Sequence, residues 1–384
     1  MKGYVFALLL AMPSMACFAG FDEGTVAYEA KDYQTALKEF LPLANDGDAE
    51  SQVKIGSMYD NGEGVVQDDS KAADWYRKAA EQGLPKAQIL LGIMYQTGIG
   101  VTKSDSRAAD WYRKAAEQGD ALAQLMLGSS YYNGWGVTQD YSKAFQWYRK
   151  AAEQGSVDVQ LGDMYYNGQG VSRSYPQAAN WYHKAAEQGD ADAQFNLGLM
   201  YHHGEGVAQD YTQAANWYHK AAEQGNIDSQ YILGLLFYNG DGVVQDHSEA
   251  AKWFRKAAEK GYVDAQYDLG LIYYNGEGVT QDYRLAFEWY CKAATQGRSD
   301  ALNNLGVMYK TGKWVEKNLV LAHMFYNLAA INGDETSKDN RNNLTPQLTT
   351  AQLNEAQELA RKWVKGQPLP TVTKTYPSSS KKRK

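Results

Sequence analysis

The sequence predicts an all-α protein, an α-solenoid built from antiparallel helix pairs. Two observations support this: the phrase Glu-Gln-Gly, or a close variant, returns at a nearly constant interval, and each interval holds two helical patterns separated by a glycine turn. The glycines that end the phrase are Gly83, Gly119, Gly155, Gly189, Gly225, Gly261 and Gly297. Every interval is 36 residues except the one from 155 to 189, which is 34. Such a period is typical of stacked repeats, each packing mainly on its neighbours.

The repeat at residues 190–225 shows how each helix begins and ends. Asp190 is a good N-cap for the first helical pattern, and Gly204 is a good stop. Asp210 precedes a second, alanine-rich pattern, which Gly225 ends as a left-handed cap. Each repeat is therefore predicted to contain a first helix, a glycine turn and a second helix.

Two positions recur through the copies. A glycine stands inside the first helix, as Gly198 does, at a cost of about 1 kcal/mol relative to alanine, which indicates close helix approach. A tryptophan stands in the second helix, as Trp217 does, and we interpret this series as core anchors. Trp135 and Trp314 fall in loops instead, where we expect each to plug the neighbouring loop rather than serve as an exposed anchor.

The 34-residue copy keeps full register downstream of Leu161. The two missing residues were therefore lost upstream, and Val159 takes the place that Phe195 has in the next copy. We predict that the first helix of this copy begins late, near Ser156 or Val157. We also predict a local change in superhelix angle between repeats three and four.

The pattern AQxxLGxMYxxGxGVxQDYxxAxxWYxKAAEQG resembles the Sel-one-like repeat, a relative of the tetratricopeptide repeat, in eight copies from Ala49 to about Gly333. The resemblance implies helix pairs stacked into a right-handed superhelix, with first helices lining its concave wall. It also implies a protein-binding scaffold rather than an enzyme. Bacterial members are often exported, and several are linked to host interaction and virulence.

Five segments follow from these patterns. Residues 1–19 read as a signal peptide, and residues 20–47 as a tetratricopeptide-like capping unit. Residues 48–333 hold the eight repeats. A polar loop and a capping helix fill residues 334–366, and residues 367–384 are predicted to be a disordered basic tail, since they are rich in proline and serine.

The first residues predict export to the periplasm or beyond the cell. Lys2 precedes an apolar run over residues 5–12 that is too short to span a bilayer, and cleavage is expected after Ala19. The alternative is a lipoprotein anchored through Cys17. No other run is long enough to span a membrane. Cleavage leaves Cys291, which we interpret as a tolerated substitution rather than a functional thiol.

Charge and motif content favour a binding protein over an enzyme. The net charge is −7, which argues against a nucleic-acid footprint. The histidine and cysteine spacings predict no metal site, no cofactor-binding loop is recognisable, and no catalytic constellation is expected. A Ser-x-x-Lys match, Ser378 to Lys381, falls in the tail, where nothing could preorganise it.

The candidate partner-binding residues form one stripe on the first helices of repeats five to seven. They share a face by helical spacing and are richer in aromatic side chains than their counterparts in repeats one to three. Tyrosine suits recognition surfaces, since it offers rigid area and a polar handle. The alternative is that the stripe packs against the next repeat's first helix. The residues are Phe195, Leu199, His202, Tyr231, Leu235, Tyr238, Tyr267, Leu271 and Tyr274.

These features predict an exported, monomeric, non-enzymatic scaffold that binds a protein or peptide through its concave face, in envelope function or host interaction. The alternative is a cell-wall hydrolase or β-lactam-binding activity, which cysteine-rich relatives of the repeat suggest. This chain lacks their paired cysteines.

Overall fold

A computed structural model of the chain describes residues 15–156, 159–331 and 333–370. The secondary structure of these residues is helical, with one turn of 3-10 helix at Thr345–Gln347. The chain divides into two compact units, Met1–Trp181 and Tyr182–Lys384. The all-α prediction is confirmed, and within each unit consecutive helices pack as antiparallel pairs.

The helices of the first unit are α1 (Met15–Glu29), α2 (Tyr33–Asn45), α3 (Ala49–Asn61), α4 (Asp69–Glu81), α5 (Pro85–Thr97), α6 (Asp105–Glu117), α7 (Ala121–Asn133), α8 (Tyr141–Glu153) and α9 (Val159–Asn167). Helix α10 (Tyr175–Glu187) crosses the boundary between the units.

The helices of the second unit are α11 (Ala191–His203), α12 (Tyr211–Glu223), α13 (Ile227–Asn239), α14 (His247–Glu259), α15 (Val263–Asn275), α16 (Tyr283–Thr295), α17 (Ser299–Thr311), α18 (Leu319–Ile331), α19 (Glu335–Leu344) and α20 (Thr350–Lys362).

Side-chain caps and glycines set the helix ends as the repeat pattern predicts. The Asp190 carboxylate accepts a hydrogen bond from the Ala193 backbone N–H at 2.7 Å, and satisfies a donor that the first turn leaves free. Gly204 ends the same helix with φ of 72°, and its N–H donates to the Met200 carbonyl at 2.8 Å. Asp210 caps α12 in the same way.

The glycine inside the first helix marks a close helix contact in seven of the repeats, as predicted. A Cβ added at Gly234 would lie 2.6 Å from ring carbons of Phe254, which is 1% exposed. Glutamine side chains form hydrogen bonds beside this contact. In the preceding repeat, Gln224 Nε2 donates to Gln194 Oε1 at 2.8 Å, and Gln194 Nε2 donates to the Ala186 carbonyl at 3.1 Å.

The tryptophans of the second helices are core anchors in the second unit. Trp217, Trp253 and Trp289 are buried, and each carries a lysine ammonium over its ring, as Lys220 lies 3.9 Å from the Trp217 centroid. In the first unit the equivalent Trp75, Trp111 and Trp147 are only half-buried. The core prediction therefore holds more fully in the second unit.

The two loop tryptophans are partly exposed, which favours the alternative of an exposed anchor, and a role as plugs of the neighbouring loops stays a prediction. Trp135 is 44% exposed and Trp314 is 40% exposed. Trp314 also adopts φ of 66°, at a position where the other copies have the second glycine of the turn. The left-handed backbone disfavours a side chain. This turn therefore differs from those of the other repeats.

The 34-residue copy has the shortest of the eight first helices. Its described part, α9, spans nine residues where the equivalent helices span 13. Gly155 ends the preceding helix with φ of 91°, and Ser156 precedes α9 without being helical. A late start is therefore observed, although Val157 and Asp158 lie outside the described residues. The change in superhelix angle stays a prediction.

The segment after repeat eight corrects one expectation. Residues 335–344, predicted to be loop, form α19, because Asp334 caps the helix through the Thr336 N–H at 3.1 Å and the buried Leu344 anchors its end. Thr349 caps α20 with a capping box, and Ala356 in α20 is buried.

The chain after α20 passes through a turn at Gly366 and contacts α16. The Gly366 N–H donates to the Thr295 carbonyl at 2.8 Å, and Leu369 packs against the core that α16 helps to form. Residues 367–370 are therefore placed on the fold, where the sequence predicts disorder. The rest of the predicted tail, and residues 1–14 of the predicted signal peptide, lie outside the described residues.

Candidate functional site

The predicted stripe, called here the first-helix face, lies on α11, α13 and α15 in the second unit. All of its side chains are half-buried, so none is a free surface group and none is a sealed core residue. The face consists of Phe195, Leu199, His202, Tyr231, Leu235, Tyr238, Tyr267, Leu271 and Tyr274.

The face is held from behind by the second helix of each repeat. Tyr231 lies 5.7 Å from Phe254, measured between ring centroids, and Tyr267 lies 6.0 Å from Tyr290. Phe254 and Tyr290 are the rings that pack against the mid-helix glycines Gly234 and Gly270. One side of each aromatic side chain of the face is therefore fixed against the core.

The last position of the stripe packs on the start of the second helix of its own repeat. Tyr238 stacks on His247 at 4.7 Å and 14°, whereas the other two contacts are edge-on. The three pairs are His202 with Tyr211, Tyr238 with His247, and Tyr274 with Tyr283.

The tyrosine hydroxyls tie each repeat to the next. Tyr231 donates to Asp268 Oδ2 at 3.1 Å, and Tyr238 donates to Glu277 Oε2 at 2.7 Å. Tyr274 accepts from Lys313 Nζ at 2.8 Å. The alternative of packing against the next repeat is therefore part of the arrangement, and the half-exposure of the same side chains leaves room for a ligand.

Two cavities open between successive first helices. One, of about 110 Å³, lies between α13 and α15 and is lined by Leu235, Tyr238, Phe254, Asp268, Leu271 and Ile272. The other, of about 210 Å³, lies between α15 and α17 and is lined by Leu271, Tyr274, Asn275, Tyr290, Asn304 and Val307. Four residues of the predicted stripe line them.

Asp268 is the residue of this site that the sequence prediction missed. Burial raises the pKa of its carboxyl to about 6, against the opposing effects of the Tyr231 hydrogen bond and the Arg298 charge. The signal was present in the repeat comparison, because no other copy has a carboxylate at this position. The equivalents are Lys54, Leu90, Met126, Gln160, Asn196, Ile232 and Asn304.

The nearby guanidinium of Arg298 is already engaged. It donates from Nε to Asp300 at 3.0 Å, it also pairs with Asp264, and it lies 5.1 Å from the Tyr267 ring centroid. Three carboxylates, those of Asp264, Asp268 and Asp300, therefore surround one guanidinium, and the surroundings of the smaller cavity are negative.

The remaining candidate groups of the sequence analysis are not arranged as a reactive site. His202 is half-buried, and burial lowers the pKa of its imidazole. Cys291 is also half-buried, and burial raises the pKa of its thiol to about 12, so it is a poor nucleophile. No three metal-binding side chains come together within the described ranges. No described helix could cross a membrane.

Comparison with known proteins identifies the repeat. The Sel1 repeat family model matches residues 49–84, 85–120, 121–156, 159–190, 191–226, 227–262, 263–297 and 299–334. Eight copies were predicted, and eight are found. No match was found among curated proteins.

Two solved structures resemble most of the chain. A protective antigen present in uropathogenic Escherichia coli strains, with an SLR fold, is 36% identical, with coverage of 90% of this chain and 91% of that one and a TM-score of 0.53. A Sel1 repeat protein from Oxalobacter formigenes is 32% identical, with coverage of 88% and 96% and a TM-score of 0.59. Sel1 repeats form non-catalytic scaffolds that typically mediate protein–protein interaction. This chain belongs to the Sel1 repeat family.

Proposed function

We propose that this protein is a non-enzymatic scaffold that captures a protein or peptide partner on the first-helix face of repeats five to seven. The observation that carries the proposal is the row of half-buried aromatic and aliphatic side chains with two cavities between the helices. Concave apolar sites with a few placed polar groups are typical of binding sites. Tyrosine, with tryptophan and arginine, is enriched among the residues that dominate binding energy.

The fixed geometry of this face favours tight binding. Tyr238 is stacked on His247 and hydrogen-bonded to Glu277, so little side-chain freedom remains to be lost when a partner arrives. Ordering an interfacial side chain costs about 0.5–1.5 kcal/mol. A preformed face avoids part of that cost, which supports a recognition role for these side chains.

The proposal places the protein outside the cytoplasm, in the periplasm or secreted, as a monomer. The signal-like segment at residues 1–19 supports export. The relative described as a protective antigen supports contact with a host. Mass spectrometry of the mature N-terminus distinguishes cleavage after Ala19 from lipidation of Cys17, and light scattering after size-exclusion chromatography gives the oligomeric state.

Photocrosslinking tests the binding face. Benzoylphenylalanine replaces Tyr238 on the first-helix face in one variant and the exposed Lys252 of α14 in a control variant. Both variants are irradiated in envelope and host extracts, and the crosslinked proteins are identified. Each identified protein is then purified and tested for binding to the unmodified chain. A protein that crosslinks to position 238 but not to position 252, and that binds the unmodified chain, supports the proposal. Equal products from both positions would contradict it.

The enzymatic alternative has a separate test. No contact among the described residues favours a cell-wall hydrolase or β-lactam-binding activity. Nitrocefin turnover by the purified chain, measured against buffer, would establish such an activity, and the proposed function predicts none.

A further inference from the structure

The smaller cavity combines an aliphatic and aromatic wall with a single ionisable group. Five of its six lining residues are Leu235, Tyr238, Phe254, Leu271 and Ile272, and the sixth is Asp268. An apolar pocket without a charged group in its wall would suit a leucine or phenylalanine of a partner. A carboxylate in the wall changes that preference, because a buried charge favours an opposite charge beside it.

The carboxylate is incompletely satisfied by its own fold. The described residues give it one hydrogen bond, from the Tyr231 hydroxyl to Oδ2 at 3.1 Å. The nearest guanidinium, that of Arg298, is held by Asp264 and Asp300. A carboxylate can accept several hydrogen bonds, so Asp268 retains capacity for an incoming donor.

We propose that this cavity binds a lysine side chain of the partner, with the aliphatic stem against the leucines and the ammonium at Asp268. This assignment rests on the proposed binding function of the first-helix face and names the residue type that anchors the partner there.

The size of the cavity suits such a side chain. A volume of about 110 Å³ corresponds to three or four water molecules at about 30 Å³ each, which is room for a short unbranched chain. Lysine buries its methylene stem along apolar surface while its charged head seeks a polar partner. The ring of Tyr238 offers a further surface to the cation.

The hydrogen bonding favours lysine over arginine. Arginine gains most from a carboxylate when both oxygens are free to meet its planar fork. Tyr231 already occupies Oδ2 of Asp268, so a two-pronged pairing would have to displace it. An ammonium is a compact charge that needs only one oxygen.

The charge around the cavity also favours a cationic side chain. Asp264 and Asp300 lie near Asp268, and Glu277 accepts the hydrogen bond of Tyr238. Among the main effects on the Asp268 carboxyl, the charge of Arg298 opposes those of Asp264 and Asp300. The excess of carboxylates attracts a cation and repels an acidic side chain.

Methyl NMR with small probes tests the assignment without a known partner. The full chain is labelled at leucine and isoleucine methyl groups and titrated with n-butylammonium chloride, and separately with n-butanol as the neutral counterpart. We expect saturable shifts at Leu235, Leu271 and Ile272, with butylammonium bound about tenfold tighter than butanol, the value of a charge-assisted hydrogen bond.

Two variants provide the matched comparison. Asp268→Asn keeps the side-chain shape and removes the charge, so it is expected to abolish the advantage of butylammonium. Glu259→Gln removes an exposed charge from α14 and is expected to preserve it. Equal affinity for the two probes in the wild type would overturn the proposal, as would a butylammonium preference that survives Asp268→Asn or no saturable shift at all.

The first and the last of these outcomes come from the wild type and do not depend on the folding of a variant. Because the probes are small molecules, their failure leaves the photocrosslinking result untouched. A partner that crosslinks at position 238 while butylammonium fails to bind would retain the binding face and reject lysine as its anchor.

Discussion

The phenol of Tyr231 in α13 donates a hydrogen bond to Oδ2 of Asp268 in α15, at 3.1 Å, and so joins the first helices of two successive repeats. The acceptor lines a cavity between these helices. A ligand in that cavity would therefore contact two repeats at once. The first-helix face therefore depends on neighbouring repeats rather than on one helix pair.

Removal of this hydrogen bond should raise the pKa of Asp268. The bond stabilises the charged carboxylate, so Tyr231→Phe should move the pKa above its value of about 6. Carbon-detected NMR titration of the Asp268 carboxyl measures it. Tyr274→Phe, whose hydroxyl accepts from Lys313, serves as the control and should leave the value unchanged. A lower pKa in Tyr231→Phe would contradict the geometry.

Asp268 should make the folded state less stable as pH rises. Its folded pKa lies above the ordinary 3.8, so its contribution is most favourable in acid and is lost between about pH 4 and pH 6. Asp268→Asn removes this loss, and should gain about 1–2 kcal/mol relative to wild type near neutral pH and less in acid. Unfolding at both pH values measures the difference.

Arg298, Asp264 and Asp300 act on the same carboxyl and are present in both proteins, so the comparison between variant and wild type reduces their effect. Glu259→Gln is the control and should show no such pH-dependent difference. A gain for Asp268→Asn that grows in acid would contradict the raised pKa.

Gly234→Ala should destabilise the protein through a direct clash. The new Cβ would lie 2.6 Å from the buried Phe254 ring, and overpacking of this kind costs about 1–3 kcal/mol despite the better helix propensity of alanine. Urea unfolding measures the cost, which should fall in a Phe254→Leu background.

Gly261→Ala provides the contrast. It has φ of 93° and no atom within 4 Å of the added Cβ, so its cost comes from the backbone alone and should not depend on Phe254. Strict additivity of Gly234→Ala and Phe254→Leu would show that the glycine is not retained for this contact.

The segment after α20 should protect Cys291. Pro368 and Leu369 line a cavity with this thiol on α16, and burial raises the pKa of the thiol to about 12. In a Cys17→Ala background, truncation after Lys362 should make Cys291 react with Ellman's reagent, whereas truncation after Pro370 should leave it protected. Equal reactivity of the two truncations would contradict the contact.

The repeat period was enough to predict the helix pairs, because in every copy a glycine follows the first helix and an aspartate, serine or asparagine precedes the second. Asp190 and Gly204 act locally, and their roles follow from their own neighbours in sequence. Helix α19 was missed because its sequence is almost wholly polar, and Leu344 alone among its residues is a large apolar anchor. Periodicity cannot reveal a helix with so few apolar residues.

The stripe itself could be predicted, but its burial could not. Helical spacing places Tyr231 and Tyr238 on one face, yet their exposure depends on how closely the next first helix approaches. Asp268 belongs to that next helix, 37 residues away from Tyr231. Such a contact depends on the packing of two repeats, which no single repeat pattern contains.

The affinity of a purified partner for paired variants tests the central claim most directly. Tyr238→Ala with Tyr274→Ala removes two rings of the first-helix face, and Lys252→Ala with Glu259→Ala alters the exposed surface of α14. Isothermal titration, with circular dichroism as the check on folding, should show at least about a tenfold loss for the first pair. The second pair should bind as the wild type does. Unchanged binding by a folded first pair, or an equal loss in the second, would contradict a partner site on the first-helix face.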